Sequence, residues 1–455
     1  MKQLTFVALA LFAFNAYSQE HFSGISTSKR VGIINGAMNP SEFANLSSKY
    51  EVHIFALSVN MSNNKVGFKD LTKGEDLEAL IFDGQGSVNF DISTAIHGPS
   101  FGMRYKKWGF GLSSKAFIKA SIIDLDADLG NAIINDNLNS VDGITSVLST
   151  SNQRVNATTY GEIGISVARN LYETEKHQLN GGITLKLLFP GSYANLGLNN
   201  FTGEIVNNAG NTSLTNTNST LNLAYSGNFG ESFSETSSYT KALFGGLNGF
   251  ATDFGADYQL LNEDKTYKLK VGASVRNIGS MTFKGDNNVS QNYTLNIPEG
   301  QSLDLDDFEN AEGLEDVEAV LDNSGFFTKS NSTADFKVKL PTVLNLYADY
   351  KIISKVSVTA FLQQKMSDNN ADDQVSAPNM FTVTPRVTFG AFETFIPIGS
   401  NEISGGTLGL GFRLGGFFLG SNSIISAVTS DSKQADFYFG FRFGFRKNEK
   451  IATAE

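Results

Sequence analysis

The chain has 455 residues, no cysteine and a formal net charge of −11 at neutral pH. This acidic balance, without any dense run of lysine and arginine, excludes the basic footprint of a nucleic-acid-binding protein. A disulfide-held fold is also excluded, and the 37 phenylalanines and 44 glycines indicate a strand-rich protein with aromatic belts.

The first 18 residues have the pattern of an export signal. Met1 and Lys2 supply a charged start, Leu4 to Phe14 form an apolar core, and Ala16-Tyr17-Ser18 is a small-x-small cleavage site. We predict cleavage after Ser18. The apolar core is too short to span a bilayer, and no other stretch of 18 or more apolar residues follows, which excludes a helical membrane protein.

Residues 19–49 are predicted to form a plug or hatch segment. The stretch is rich in small residues and only weakly periodic, so it is either a linker or a segment folded into a lumen. Its apolar content favours packing. Asn39 and Pro40 predict a turn before a short helical piece, because proline is well placed at the start of a helix.

From residue 50 to 446, apolar and polar residues alternate in segment after segment, which is the period of a β-strand. In one such segment Leu269 and Val271 alternate with Lys268 and Lys270. Too many ionisable residues share the inward parity for a dry core, whereas a wet barrel lumen accepts them. The lumen-facing candidates are Arg104, Lys115, Lys119, Asp253, Asp257, Lys268, Lys270, Arg276, Asp349, Arg386, Arg413 and Arg442. They indicate a lumen packed by ion pairs, which is favoured. The alternatives are a polar pathway, or an anion-attracting wall behind a movable plug.

The stretch Asp436 to Arg446, DFYFGFRFGFR, predicts a lipid-facing strand. All five phenylalanines share one parity, and the opposite parity carries two arginines and two glycines. Its eleven residues match the roughly 9–11 that a tilted strand needs to cross a bilayer. We predict that it closes the barrel against a first strand near Tyr50 to Asn60, and that residues 447–455 form a periplasmic tail.

Short and long connections alternate along the chain, as in outer-membrane barrels. The count predicts twelve strands, or fourteen if TLNLAYSGNF in the long loop from Gly191 to Asn248 forms a further hairpin. Either number leaves both termini in the periplasm. Residues 199–240 are predicted to be an exposed polar loop, residues 124–148 a broken helical region, and residues 303–322 an amphipathic loop helix. The fold class is thus all-β, a transmembrane antiparallel barrel with an N-terminal plug and long extracellular loops.

Two stretches resemble known families. INGAMNPSEFANL resembles the N-terminal plug of the long-chain fatty-acid transporter-like barrels, whose signature is Asn-Pro-Ala; Asn39 and Pro40 match, and Ser41 departs. SGGTLGLGFRLGGFFLGSNSIIS, with the last strand, is similar to a Bacteroidota family of outer-membrane barrels of unknown function. The resemblance implies about fourteen strands, an N-terminal plug, and relatives that include hydrophobic-compound transporters and the shuttle barrel of type IX secretion.

No residue pattern predicts catalysis, a metal site or a cofactor. The four histidines, His21, His53, His97 and His177, lie in no local triad pattern. The expected partner is outer-membrane lipid, with a hydrophobic small molecule or a protein at the extracellular loops. A passive transporter of small hydrophobic molecules gated by the plug is the leading hypothesis. The alternative is a non-transporting scaffold or cargo-binding barrel that joins a secretion or surface-protein complex, and an enzyme is a distant third.

Overall fold

The computed structural model describes residues 21–73, 77–82, 86–134, 143–208, 211–226, 245–285, 288–308, 311 and 313–447. The predicted signal peptide, and the predicted tail beyond Lys447, lie outside the described residues.

Within this part of the chain, fourteen strand positions pair antiparallel into a closed ring. In order round the ring they are β1 (Ser48–Asn63), β2 with β3 (Ser87–His97 and Ser100–Tyr105), β4 (Trp108–Asp126), β5 (Gly143–Glu173), β6 (His177–Asn208), β8 (Gly249–Leu261), β9 (Tyr267–Phe283), β12 with β13 (Phe336–Lys339 and Val343–Ile353), β14 (Val356–Lys365), β15 (Met380–Phe389), β16 with β17 (Phe392–Phe395 and Ile398–Asn401), β18 with β19 (Gly405–Leu408 and Leu410–Leu414), β20 (Phe417–Ser421) and β21 (Gln434–Lys447). The last strand pairs with the first, with Phe437 opposite Val59 and Phe441 opposite Phe55. The predicted closing strand and the predicted barrel are confirmed.

The thirteenth and fourteenth strands do not come from the predicted hairpin in the 191–248 loop. They come from two tight turns that the sequence count passed over, at Gly390-Ala391 and at Gly415-Gly416, where Gly390 and Gly415 have φ of 56° and 58°. Positive φ at these positions suits glycine and permits a two-residue reversal. The glycine pair at 415–416 is therefore a hairpin turn between β19 and β20 rather than a kink or bulge within one strand.

The two ends of the barrel differ. The short-turn end carries the turns at 106–107, 174–176, 262–266, 354–355, 390–391 and 415–416, together with Ser48 and Lys447. The long-loop end carries the other connections. The connection at 402–404 joins β17 to β18 at the long-loop end, so this short connection departs from the predicted alternation of short and long connections.

Beyond the long-loop end, the wall continues as a folded extension. There β6 pairs with β7 (Asn211–Tyr225), β7 with β10 (Val289–Asp304), and β10 with β11 (Phe327–Thr333). Phe201, Leu214 and Leu295 are buried between these strands. Burial of these apolar side chains stabilises the strands although most of the surrounding residues are polar. Where it is described, the predicted exposed loop of 199–240 is instead strand, a correction that apolar burial explains.

The helices are short. They are α1 (Ile33–Met38), α2 (Phe68–Lys73), α3 (Leu77–Phe82), α4 (Ala127–Ile134), α5 (Leu314–Asn323) and α6 (Ile424–Thr429), with 3-10 helices at Lys29–Val31, Pro40–Asn45 and Asp306–Phe308. The predicted loop helix within 303–322 is present as α5, with Leu321 buried. The predicted helical region 124–148 is helical only in α4, since β4 runs to Asp126 and β5 starts at Gly143. Among the described residues no helix is both long and apolar enough to cross a bilayer.

A belt of large apolar side chains points outward from the ring. Phe437, Phe441 and Phe443 on β21 are each more than 40% exposed, whereas Tyr438 between them is buried. Near the short-turn end, aromatic residues such as Trp108 and Tyr350 form part of an exposed girdle. An apolar belt of this extent with an aromatic rim is the outer surface of a transmembrane barrel.

A charge placed in this belt is expected to prevent assembly. Phe441→Arg costs about 2–4 kcal/mol where the side chain faces the bilayer midplane, and Phe441→Leu costs little because it remains apolar. The fraction of chain that assembles in lipid vesicles, read as the heat-sensitive mobility shift in electrophoresis, is expected to fall sharply for the arginine variant only. Equal assembly of both variants would show that Phe441 does not face lipid.

Candidate functional site

The lumen contains a segment that precedes the first strand. Residues 21–47, the N-terminal insert, contact strands on all sides of the ring. Tyr438 on β21 donates a hydrogen bond to the Ser23 carbonyl (2.6 Å), and Ser274 on β9 donates to the Met38 carbonyl (2.8 Å). The Ser28 hydroxyl donates to Glu393 on β16 (2.7 Å). A segment that reaches opposite walls at once lies inside the barrel.

Asn39 and Pro40 form the turn that the sequence predicts. The Asn39 side chain accepts a hydrogen bond from the Ser41 backbone (3.0 Å) and so caps the 3-10 helix that begins at Pro40. Its amide nitrogen donates to the carbonyl oxygens of Ala256 (3.0 Å) and Ala273 (3.3 Å). The Asn39 side chain therefore caps the start of this helix and also binds the insert to the backbone of two neighbouring strands, β8 and β9.

Glu42 is a functional residue that the sequence reasoning missed. Its carboxylate is 1% exposed and pairs with the ammonium group of Lys270 on β9, while the hydroxyl of Tyr347 on β13 donates to it. Asn45 donates to the same carboxylate (3.0 Å). The sequence suggests for Glu42 only a place in a first helical turn, because its partners on the wall, Lys270 and Tyr347, lie more than 200 residues away.

Glycines in the wall allow the insert to lie against bare backbone. A Cβ at Gly182 on β6 would lie 2.5 Å from the Pro40 carbonyl carbon and the Ser41 nitrogen, and one at Gly255 on β8 would overlap the Asn39 side chain. Gly109 and Gly111 on β4 make the same close approach to Phe43. This set of four, the glycine seat, is a recess that only residues without a Cβ can form.

A second element enters the lumen from the long-loop end. Residues 366–379, the inward loop, leave β14, cross to the opposite wall and return to β15. Arg154 on β5, which is fully buried, donates to the carbonyl oxygens of Asn369 (2.5 Å), Asp372 (3.3 Å) and Gln374 (3.1 Å). Lys119 on β4 donates to the Ser376 carbonyl (3.2 Å). The sequence predicts only a connection of medium length from Ser367 to Asn379 here, and its polar residues give no sign that it enters the lumen.

Removal of the Arg154 side chain is expected to release the inward loop. Arg154→Met leaves several buried carbonyl oxygens without a donor, at about 1–3 kcal/mol each. Because the chain has no cysteine, an Ala377→Cys reporter gives a clean readout, and its labelling by a membrane-impermeant maleimide should rise at least about tenfold. Arg169→Met at the short-turn end is the matched control, and equal labelling in all backgrounds would contradict this role.

Ion pairs line the wall between the N-terminal insert and the inward loop. Lys115 and Lys186 approach Glu162 at 2.8 and 3.3 Å, and Lys186 also pairs with Asp253 at 2.9 Å. Arg276 approaches Asp253 at 3.9 Å. Buried charges that are paired in this way fix the geometry of a lumen and leave one positive charge in excess over two carboxylates.

The predicted lumen-facing residues fall into three groups by the burial of their side chains. Buried ones are Lys115, Lys119, Asp253, Asp257, Lys270, Asp349, Arg386 and Arg413, and partly buried ones are Arg104, Arg276 and Arg442. Lys268 is exposed, so its assignment to the lumen was wrong. At that end of β9, Tyr267 takes the buried position, because the β8–β9 register shifts next to it.

Two more buried glutamates escaped the sequence reasoning. Glu393 on β16 receives Arg386 (3.2 Å) and Arg413 (3.9 Å), and Glu51 on β1 receives Arg442 (2.9 Å). The alternation along β1 is long enough to indicate that Glu51 faces inward. Strand β16 has only four residues, so no alternation could indicate Glu393.

The structure also brings together histidines that are distant in sequence. The rings of His53 and His97 lie 6.1 Å apart, and Phe22 packs on His97 at 4.9 Å. His21 forms hydrogen bonds with Ser58 (3.0 Å) and Ser93 (2.9 Å). Among the described residues no group of three or more His, Asp or Glu side chains is arranged to hold a metal ion.

A small cavity, about 90 Å³, remains between the N-terminal insert and the inward loop. One part of its wall is apolar and includes Ile34, Met38 and Phe361; another carries Lys115 and Arg276. Such a volume is well below the 300–1,000 Å³ of typical ligand pockets. This cavity could hold a larger molecule only if the N-terminal insert or the inward loop moved.

A family model described as "Family of unknown function (DUF5723)" matches residues 44–422. The chain belongs to this family. The match bears out the prediction of a family of unknown function, and its restriction to Bacteroidota stays a prediction. Among curated proteins, none matches this DUF5723 protein.

Solved structures that resemble the DUF5723 protein are barrels of very different sequence. The "TodX deltaS2S3 mutant monoaromatic hydrocarbon channel" is 8% identical, with a TM-score of 0.46 over 94% of this chain and 96% of that one. A Pseudomonas aeruginosa FadL homologue is 9% identical, with a TM-score of 0.40 over 94% and 98%. The translocator domain of autotransporter NalP from Neisseria meningitidis is 8% identical, with a TM-score of 0.30 over 87% and 89%. The function of this chain therefore has to be argued from its own residues.

Proposed function

We propose that this protein is an outer-membrane barrel, exported through a cleaved signal peptide, that passes small hydrophobic molecules by diffusion when its N-terminal insert moves. One observation carries the proposal. The insert lies in the lumen beside a cavity of only about 90 Å³, and it forms helical turns that pair with no wall strand among the described residues. It is held by hydrogen bonds, the Glu42–Lys270 ion pair and apolar packing of Phe22 and Phe43, so it can move without opening the ring of strands.

The apolar part of the cavity supports a hydrophobic solute. Phe117, Val343 and Phe361 line it from the barrel wall, so movement of the insert would enlarge a space that has an apolar wall. The charged part of the wall is already occupied by ion pairs. A polar solute would therefore have to compete with buried pairs, whereas an apolar one would not.

A break in the second strand position supports a sideways route. Strand β2 ends at His97 and β3 starts at Ser100, with Gly98 and Pro99 between them. On β1 the pairing passes from Ala56 opposite His97 to His53 opposite Ser100. Proline cannot donate a ladder hydrogen bond, so the β1–β2–β3 ladder is interrupted there, and the cavity lining reaches this break through His97.

The direct test is uptake by proteoliposomes. A chain without residues 21–47 should take up a small aromatic hydrocarbon much faster than the full chain, with a smaller effect on a sugar of similar size. Circular dichroism and the folded electrophoretic form control for an intact barrel. If neither chain passes either solute while both are folded, transport is the wrong function.

The folded extension favours a second candidate, a scaffold or cargo-binding barrel. On the extension, Ile144 and Leu148 on β5 are 67% and 75% exposed, which is unusual for apolar residues on a rigid strand. A photo-cross-linking residue at Leu148 should then capture one protein in native membranes, while the same residue at Ser354, in a turn of the short-turn end, should not. Cross-links only to lipid would exclude the scaffold.

A further inference from the structure

A separate cavity of about 250 Å³ lies at the short-turn mouth of the barrel, where the N-terminal insert meets the β13–β14 and β15–β16 hairpins. Five cationic side chains and one carboxylate line it. The cations are Lys29, Arg30, Lys351, Lys355 and Arg386, and the carboxylate is Glu393. The cavity therefore has a strong excess of positive charge.

Glu393 cannot neutralise this excess. Its carboxylate already receives Ser28 (2.7 Å) and Arg386 (3.2 Å), and Arg30 and Arg413 approach it at 3.6 and 3.9 Å. Three arginines thus share one negative charge. The lysines of the cavity have to find their counter-charge elsewhere.

Three of those lysines make no ion pair with any described residue. The ammonium groups of Lys29 and Lys351 lie 5.6 and 4.5 Å from the centre of the same Tyr267 ring, and that of Lys355 lies 5.7 Å from the Phe389 ring. Ring faces attract cations only weakly at exposed sites. Burial, with the nearby Lys270 charge, lowers the pKa of Lys29 to about 8, and the Glu42 carboxylate offsets this only in part.

Cations from two different elements therefore converge on one space. Lys29 belongs to the N-terminal insert, and Lys351 and Lys355 belong to the β13–β14 hairpin. Coulomb repulsion pushes them apart unless an anion lies between them. A compact ligand with several negative oxygens would satisfy both sides at once, as lysines do at phosphate sites.

We infer that this cavity, lined by Lys29, Lys351 and Lys355, binds a multivalent oxyanion of the phosphate class and thereby fastens the N-terminal insert to the barrel wall. The inference goes beyond the proposed transport. The binding itself is measured without any transport assay, so the two can fail separately.

Titration calorimetry with inorganic pyrophosphate tests the site on the full chain in an uncharged detergent at constant ionic strength. We expect one saturable site, with affinity lowered about tenfold or more by Lys351→Gln or Lys29→Gln, since each removes a charged hydrogen bond. Lys355→Gln, in an exposed turn, should weaken binding without any risk to folding. Lys329→Gln on the extension, where Lys329 pairs with Asp322 at 2.6 Å, is the control and should bind normally.

Two results would overturn the inference. One is the absence of saturable binding to the folded chain. The other is an equal loss of affinity in the Lys329 control and the cavity variants, which would mean that the anion responds only to overall charge. The link to the insert is checked by an Ala44→Cys reporter, whose maleimide labelling should slow several-fold with pyrophosphate in the unmodified chain and not in Lys351→Gln.

Discussion

Replacement of Gly182 by valine is expected to drive the N-terminal insert out of its seat while the barrel stays folded. The new Cβ alone would lie 2.5 Å from the Pro40 and Ser41 backbone, and backbone cannot yield as a flexible side chain can. Overpacking of this kind costs about 1–3 kcal/mol or more. The insert can escape that cost by leaving, whereas the wall strands are held by their ladders.

The readout is the labelling of an Ala44→Cys reporter. Ala44 is 1% exposed, and a maleimide reaches it only when the insert is released. A shift of 1–3 kcal/mol raises the released population, and hence the labelling rate, about 5- to 150-fold. Gly406→Val is the matched control, because a Cβ at Gly406 meets no atom within 4 Å. Slow labelling in the Gly182 variant would show that the insert does not move as a unit.

Glu42→Gln is expected to have an effect of similar size through charge instead of volume. The substitution leaves Lys270 buried, at 2% exposed, without the carboxylate that compensates it. Loss of one partner of a buried pair costs about 3–5 kcal/mol. Because Glu42 is the insert's side of the pair, we expect the insert to be released and the barrel to keep its heat-sensitive electrophoretic form.

A second substitution separates the effect of the Glu42 charge from that of its hydrogen bonds. Lys270→Met removes the uncompensated cation, so the double variant Glu42→Gln with Lys270→Met should recover most of the slow labelling of the Ala44→Cys reporter. Glu402→Gln, which breaks the more exposed pair with Lys365 at 2.8 Å, is the control and should cost about 1 kcal/mol or less. Fast labelling in the double variant would mean that Glu42 acts through its hydrogen bonds to Tyr347 and Asn45.

The barrel could be predicted because its signals are local. Alternation along one strand is enough to show which face meets lipid, and the five phenylalanines of β21 made the closing strand plain. Alternation did not reveal the two additional strands. Around Gly390 and Gly415 a two-residue turn separates short apolar runs, so the sequence reads as a continuous strand.

The site was harder to predict because its contacts are not local. Lys270 had the right parity, but its partner Glu42 lies on a helical turn of the insert, where strand parity says nothing. Arg154 holds a loop more than 200 residues further along the chain. Polarity marked that loop as solvent-exposed, and only the buried donors facing it explain why it enters the lumen.

The most direct test of the central claim is solute uptake by a chain whose insert can be locked. A Cβ at Gly102 on β3 would lie 3.2 Å from Ile33 Cγ1 on the insert, a spacing that suits a disulfide between Ile33→Cys and Gly102→Cys. The chain has no other cysteine. Proteoliposomes with the oxidised variant should take up an aromatic hydrocarbon no faster than protein-free liposomes, and reduction of the same sample should restore uptake to the rate of the unmodified chain. Equal uptake before and after reduction, with the disulfide verified by mass spectrometry, would contradict an N-terminal insert that gates the barrel.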